Sequence, residues 1–274
     1  MRYIKLTTKY MVKNILFLFL IALIPSVFMG SLLSPFKFLE FINGYTKLTV
    51  VNFSSIFFSI VDISWLKVLF YVLAYALISI AVSIIIGQIE NHFRSGKMNF
   101  SNIKNNINNN ILIVFSSLMI LSLLGLFLSL ISSTIIYLFH ILICGLNTTP
   151  NVAVFIIAIV VYVLYFCVMS IVSLILYINI PNMLNNGYNF KQSISSTINY
   201  VGKNFFNVLL AYLLPYALII LLVSVFNFSN IALHIINVIC VLISIMYYSS
   251  FVMTTYFDIS GMQRYDERKY YSIK

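Results

Sequence analysis

The sequence predicts an all-α polytopic membrane protein with six transmembrane helices, cytoplasmic amphipathic interfacial helices and both termini in the cytoplasm. Three observations carry this. Of the 274 residues 62% are apolar and 8% charged, against about 25% charged in soluble domains. The charges are absent from four long windows, 14–36, 68–89, 105–190 and 204–257. The cations are also distributed unequally between the segments that separate those windows.

A membrane-crossing helix needs roughly 20 mainly apolar residues. The first two windows hold one span each, at about 15–33 and 68–89. The third is broken by the turn-forming run Asn147-Thr148-Thr149-Pro150-Asn151 and yields spans at about 111–137 and 152–180. The fourth breaks at Asn227-Phe228-Ser229-Asn230, giving spans at about 208–226 and 231–257. The chain therefore reads as one membrane domain over 1–274.

Charge decides the orientation. With six spans and the N-terminus inside, the cytoplasmic segments carry Arg2, Lys5, Lys9, Lys13, Arg94, Lys97, Lys104, Lys191, Lys203, Arg264, Arg268, Lys269 and Lys274, thirteen in all, against Lys37, Lys47 and Lys67 outside. A seventh span in the third window would turn 13 to 3 into 7 to 9, which the positive-inside rule disfavours. The first apolar run is too long for a signal-peptide core and no small-residue cleavage pattern follows it, so it reads as a retained helix. Cys144, Cys167 and Cys240 all lie in apolar stretches and, being odd in number, predict no disulfide framework.

Each odd-numbered span is led into by a basic or Asn-rich segment with apolar residues at helical spacing. Phe100, Ile103, Ile107 and Ile111 precede the third span; Phe190, Ile194, Ile198, Val201 and Phe205 precede the fifth; Ile4 and Met11 form a weaker stripe before the first. These predict interfacial helices at about 3–13, 98–110 and 189–205, apolar face to lipid and polar face to the cytoplasm. Both later segments follow a glycine, Gly96 and Gly187, and open on Asn99-Phe100 and Asn189-Phe190. Lys13-Asn14 precedes Pro25 by the interval at which Lys203-Asn204 precedes Pro215, so a threefold repeat of about 95 residues is the simplest description. Pro25 and Pro215 fall mid-span and predict helix kinks. The outer segment 34–67 predicts a helix through Phe53, Ile56, Phe57, Ile60 and Val61, with Trp65 and Lys67 at headgroup level.

The chemistry left to such a chain is limited. No charge falls within a span, which disfavours proton or sodium carriers, and neither G-x-x-x-x-G-K-[ST] nor H-E-x-x-H occurs. The reading is of no enzyme, no cofactor and no metal, although His140, Cys144 and His234 at outer helix ends are the residues that would supply soft ligands. The candidate functional feature is a polar stripe on the sixth span, Asn230, His234, Asn237, Ser244 and Tyr248. Such a face should turn into the bundle, bonding to Tyr162 and Tyr165 or to Tyr212 and Tyr216, or line a cavity for a lipid or small amphiphile. The tail 258–274 mixes both charges with Tyr265, Tyr270 and Tyr271 and is a candidate docking site for a cytoplasmic protein. The net charge of +10 is a cytoplasmic-face surplus that suits anionic lipid headgroups and gives no reason to expect nucleic acid.

Six spans with amphipathic lead-ins, Tyr256-Phe257-Asp258 closing the last span and Arg264-Tyr265-Asp266 after it resemble the membrane domain of bacterial glycerophosphodiester phosphodiesterases and its stand-alone relatives of uncharacterised function. In that family a Tyr-Tyr-Asp-like triplet closes the last helix, and a basic stretch ending in an aromatic-Asp pair follows. Gly96 to Ile111 and Gly187 to Phe205 resemble its linkers. The resemblance implies a six-helix module of a bacterial cytoplasmic membrane. The six spans take up the whole chain, which leaves no catalytic barrel, so no phosphodiesterase activity is implied. The expected function is a non-enzymatic accessory or scaffold handling lipid or an envelope complex. The alternatives are a permease subunit served by a separate ATPase and an immunity protein against a membrane-active peptide.

Overall fold

The computed structural model describes residues 2–32, 52–61, 65–98, 100–144, 152–225 and 230–265. It is 93% helical with no strand among the described residues. The helices are α1 (Arg2–Lys13), α2 (Ile15–Leu32), α3 (Phe53–Val61), α4 (Trp65–Ser95), α5 (Ile103–Cys144, after a short 3-10 turn Phe100–Asn102), α6 (Val152–Asn186), α7 (Phe190–Gly202), α8 (Phe205–Val225) and α9 (Asn230–Ile259). Six of them, α2, α4, α5, α6, α8 and α9, are long and apolar enough to cross a membrane. Residues 103–144, the first part of the third window, form one unbroken helix, so this part contributes a single span.

The residues group into two compact units. The first comprises 1–31, 71–118 and 173–274; the second comprises 32–70 and 119–172. In the second, α3 buries Ile56 completely against Ile136 of α5 and Val154 and Ala158 of α6. Phe53 meets the Tyr137 ring edge-on at 6.1 Å. The sequence expectation of a helix through Phe53 to Val61 is met, while 33–51 and 62–64 lie outside the described residues.

The first unit is built around α9. Of its most apolar stretch 56% is buried, against 17–33% for the other five spans. On one side α9 meets α2 so closely that a Cβ on Gly30 would lie 2.6 Å from the Cα of Val238. Only a residue without a side chain permits that approach. On another side Tyr247 of α9 donates to the Ala211 carbonyl of α8 at 2.7 Å.

Two features repeat within this unit. The helices α4, α6 and α9 each end at a glycine with positive φ: Gly96 at 71°, Gly187 at 62° and Gly261 at 69°. The Gly96 and Gly187 amides close the last turn on the His92 and Met183 carbonyls, the left-handed termination that glycine adopts without a Cβ penalty. The second feature relates α1–α2 to α7–α8 at an offset of 190 residues. Asn14 and Asn204 mark equivalent breaks, each amide bonding back to the preceding helix, while Leu18 and Val208 bond to the two Asn carbonyls. Thr7 and Thr197, Leu18 and Val208, Ala22 and Tyr212, and Pro25 and Pro215 are buried in pairs. The helices α2 and α8 run on through their prolines, and beside Pro25 the Ser26 hydroxyl bonds the Ala22 carbonyl. A third proline, Pro181, sits inside α6.

One expectation is corrected. The segment at about 98–110 is no separate interfacial helix, because from Ile103 it forms the first turns of α5. Its asparagines explain this: Asn110 donates to the Ser83 carbonyl of α4 at 3.2 Å, and Asn106 lies so close to Gly87 that a Cβ there would reach its Cγ at 2.6 Å. Asn106 and Asn110 are thus packed on α4, so the segment continues α5 along that helix, while Lys104, Asn105, Asn108 and Asn109 are exposed.

Gly30→Ala should lower stability by about 1–3 kcal/mol, the range for overpacking, because it strikes backbone. Gly87→Ala should cost less, since the Asn106 side chain can turn aside. Thermal unfolding of the two variants in detergent measures the difference.

Candidate functional site

The polar stripe expected on the sixth span is divided in the folded chain. His234 is exposed, Asn237 is buried, and the side chain of Asn230 lies outside the described residues. Ser244 donates to the Cys240 carbonyl of its own helix at 2.7 Å. Tyr248 donates to the Tyr212 carbonyl of α8 at 3.0 Å. His234 is thus exposed while Asn237 and Tyr248 are turned into the protein. Among the described residues no cluster of three or more His, Cys, Asp or Glu could hold a metal ion. Cys144's side chain lies outside them, Cys167 is exposed, and Cys240 is buried with a free thiol.

Around Tyr248 the unit builds an aromatic knot. Tyr212, fully buried, donates to Ser173 of α6 at 2.6 Å. The Tyr212 and Tyr248 ring centroids are 5.1 Å apart, Tyr216 and Tyr248 5.7 Å, and Tyr177 stacks on Tyr248 at 6.1 Å. At these separations the rings are one another's neighbours, so the knot fastens α6, α8 and α9 together and its interior is filled by its own rings. Of the two tyrosine pairs named as possible partners of the stripe, Tyr212 and Tyr216 meet one member of it, Tyr248. Tyr162 and Tyr165 belong to the other unit, where they stack at 6.1 Å.

The densest polar chemistry lies elsewhere, at the ends of α4, α6 and α9 where Gly96, Gly187 and Gly261 stop them. Asn182 of α6 points its amide nitrogen at the Ser193 carbonyl (2.8 Å), Ser196 Oγ (2.6 Å) and Thr197 Oγ1 (3.0 Å) of α7. One turn on, Asn186 donates to Asn182 Oδ1 at 2.7 Å and to the Tyr256 hydroxyl of α9 at 3.1 Å. On α9, Thr254 meets Thr7 of α1 at 3.1 Å, and Asp258 pairs with Arg2. Tyr10 of α1 reaches His92 Nδ1 of α4 at 3.0 Å. Asn110 and Ser83 complete the set. Each surface or lead-in helix is thus stitched to a preceding even-numbered span, with α1 taking the last span, α9, as its partner.

The triplet that carries the family resemblance has a structural assignment here. Tyr256 accepts from Asn186, Phe257 sets its ring edge-on to Phe93 of α4 at 5.1 Å, and Asp258 holds Arg2. The Arg264 guanidinium lies 4.1 Å from the Phe93 ring centroid, a cation–π distance. Asp266, Tyr270 and Tyr271 lie outside the described residues. Glu90 is taken up by Arg94, whose guanidinium also reaches Asn185 Oδ1 at 2.6 Å.

Sequence reasoning missed the stitches. Asn179, Asn182 and Asn186 recur at i, i+3 and i+7 in a charge-free helix, which was a readable signal, but it was hidden among 24 asparagines. The threonines Thr7 and Thr254 are single residues with no pattern to announce them.

Asn182→Leu should destabilise the protein by about 1–3 kcal/mol, the cost of leaving its buried partners unpaired. Asn199→Leu, on the exposed side of α7, should change stability by less than about 0.5 kcal/mol. Denaturant or thermal unfolding in one detergent compares them. The chain as a whole matches no protein-family model, no curated protein and no solved structure.

Proposed function

We propose that this chain is a non-enzymatic multi-pass module of a bacterial cytoplasmic membrane, with both termini cytoplasmic, acting as an accessory or scaffold that handles lipid or an envelope complex. The observation that carries the reading is the division of α1 and α7 into protein-facing and exposed residues. Their protein-facing sectors are Tyr3, Thr7 and Tyr10, and Ser193, Thr197 and Val201. Their cations are exposed: Lys5, Lys9 and Lys13 at four-residue intervals on α1, Lys191 in the first turn of α7 and Lys203 just past its end. Exposed apolar side chains lie near them in sequence, Val12 (64%) on α1 and Leu16 (77%) at the start of α2, Ile198 (49%) on α7 and Phe206 (79%) at the start of α8.

A helix fastened by hydroxyls on one side, and offering exposed lysine and apolar carbon elsewhere, suits the layer where anionic headgroups meet acyl chains. The thirteen-to-three distribution of cations supports placing these helices at the cytoplasmic face. The absence of charge from the apolar windows supports a module that moves no ion by itself.

Lipid extracted with the purified protein should be enriched in phosphatidylglycerol or cardiolipin over the host membrane, and Lys5→Gln, Lys9→Gln and Lys13→Gln together should abolish the enrichment. Native mass spectrometry reads both. Bulk lipid composition in the wild type defeats the reading, and a co-purifying ATP-binding chain in its place favours the permease subunit. A cysteine at position 9 should be labelled by an impermeant reagent only after the membrane is opened, and one at position 55 from outside intact cells. The reverse pattern defeats the orientation.

A further inference from the structure

Four buried hydroxyls in the second unit bond to carbonyls of their own helices. Ser59 donates to the Ile56 carbonyl, Ser129 to Leu126, Ser133 to Ser129 and Ser170 to Phe166. The first unit differs. There Asn106 Nδ2, Ser117 Oγ, Asn179 Oδ1, Ser193 Oγ, Ser250 Oγ and Thr255 Oγ1 are buried with no hydrogen-bond partner, and the last four residues are 0% exposed.

These atoms fall two to a stitch. Asn106 and Ser117 lie on the face of α5 that carries Asn110, four residues before it and seven after. Asn179 shares the face of Asn182 and Asn186 on α6, and Ser193 is the α7 residue whose carbonyl Asn182 holds. Ser250 lies one turn before Thr254 on α9, and Thr255 directly follows it.

Leaving all six unpaired would forfeit a large part of the stability a folded chain has available. Whatever satisfies them must both donate and accept. Asn106 presents N–H, Asn179 presents lone pairs, and the hydroxyls can do either. A metal cation would suit Asn179 and be repelled at Asn106, and an anion the reverse. The smallest neutral ligand that does both is water, which inside proteins makes about three hydrogen bonds to otherwise unsatisfied groups. We propose that the three stitches are internal water sites, with water reaching Asn179, seven residues above the end of α6. At about 1.5 Å per residue that is roughly 10 Å into the spanning part of the helix. This goes beyond the lipid reading and does not depend on it.

The test uses the full chain in phospholipid bilayers. In solid-state NMR, magnetisation selected on water should pass to the side-chain amides of Asn106 and Asn179 as fast as to that of exposed Asn199, the peaks being assigned by their loss in Asn106→Leu and Asn179→Leu. If both amides stay dark while Asn199 lights up, the proposal fails. A second measurement needs no assignment: Ser193→Ala and Thr255→Val should each lower the unfolding temperature by several degrees, because each removes an anchor of a bound water. An unchanged or raised unfolding temperature in both would mean that the hydroxyls hold nothing, and would overturn it.

Discussion

A polar group carried into an apolar phase must find its hydrogen-bond partner inside the protein, and in this chain that requirement falls on amides and hydroxyls because no charge is available to share it. Apolar contact alone gives span-length helices little reason to prefer one neighbour over another, since lipid tails are as apolar as leucine. Interhelical hydrogen bonds in membranes contribute only about 0.6–2 kcal/mol each, yet they act in one direction and at one height. Asn182 against Ser196 and Thr197, Thr7 against Thr254 and Asn110 against the Ser83 carbonyl therefore choose partners for helices whose apolar surfaces would accept many. The close approach of Gly30 to the backbone at Val238 adds the packing term that small residues permit.

The same constraint gives the repeat its physical form. At an offset of 190 residues, Thr7 and Thr197 are both fully buried although they dock on different helices, α9 and α6. The equivalence therefore lies in the docking mode: a short amphipathic helix, broken from its span at an asparagine, turns a hydroxyl toward the end of an even-numbered span that stops on a left-handed glycine. The helix α1 docks on the last span, α9. Arg2 and Asp258 consequently meet although 256 positions separate them.

The Tyr256-Phe257-Asp258 triplet joins several helices at one point. Its three consecutive side chains point to three helices, α6 through Asn186, α4 through Phe93 and α1 through Arg2. They fasten the helix ends that carry the cationic surface on which the lipid reading rests.

Six span-length apolar helices, their approximate limits, the short helices before the first and fifth of them and the helix at Phe53 were all legible in the order of residues. These follow from where charge and backbone-breaking residues are tolerated, which is a local, one-dimensional constraint. Periodicity showed that Tyr162 and Tyr165 share a face and that Tyr212 and Tyr216 share one, but left open which pair meets the sixth span. Only the tertiary structure decided what each face meets. The Asn-rich lead-in to the third span reads as interfacial until Ser83 and Gly87 are placed beside it, and the stripe from His234 to Tyr248 reads as a single inward face until His234 is found exposed. Helical period gives a direction around one axis, whereas pairing depends on the height and rotation of a second helix, and those are set by a few polar atoms whose partners lie dozens to hundreds of residues away.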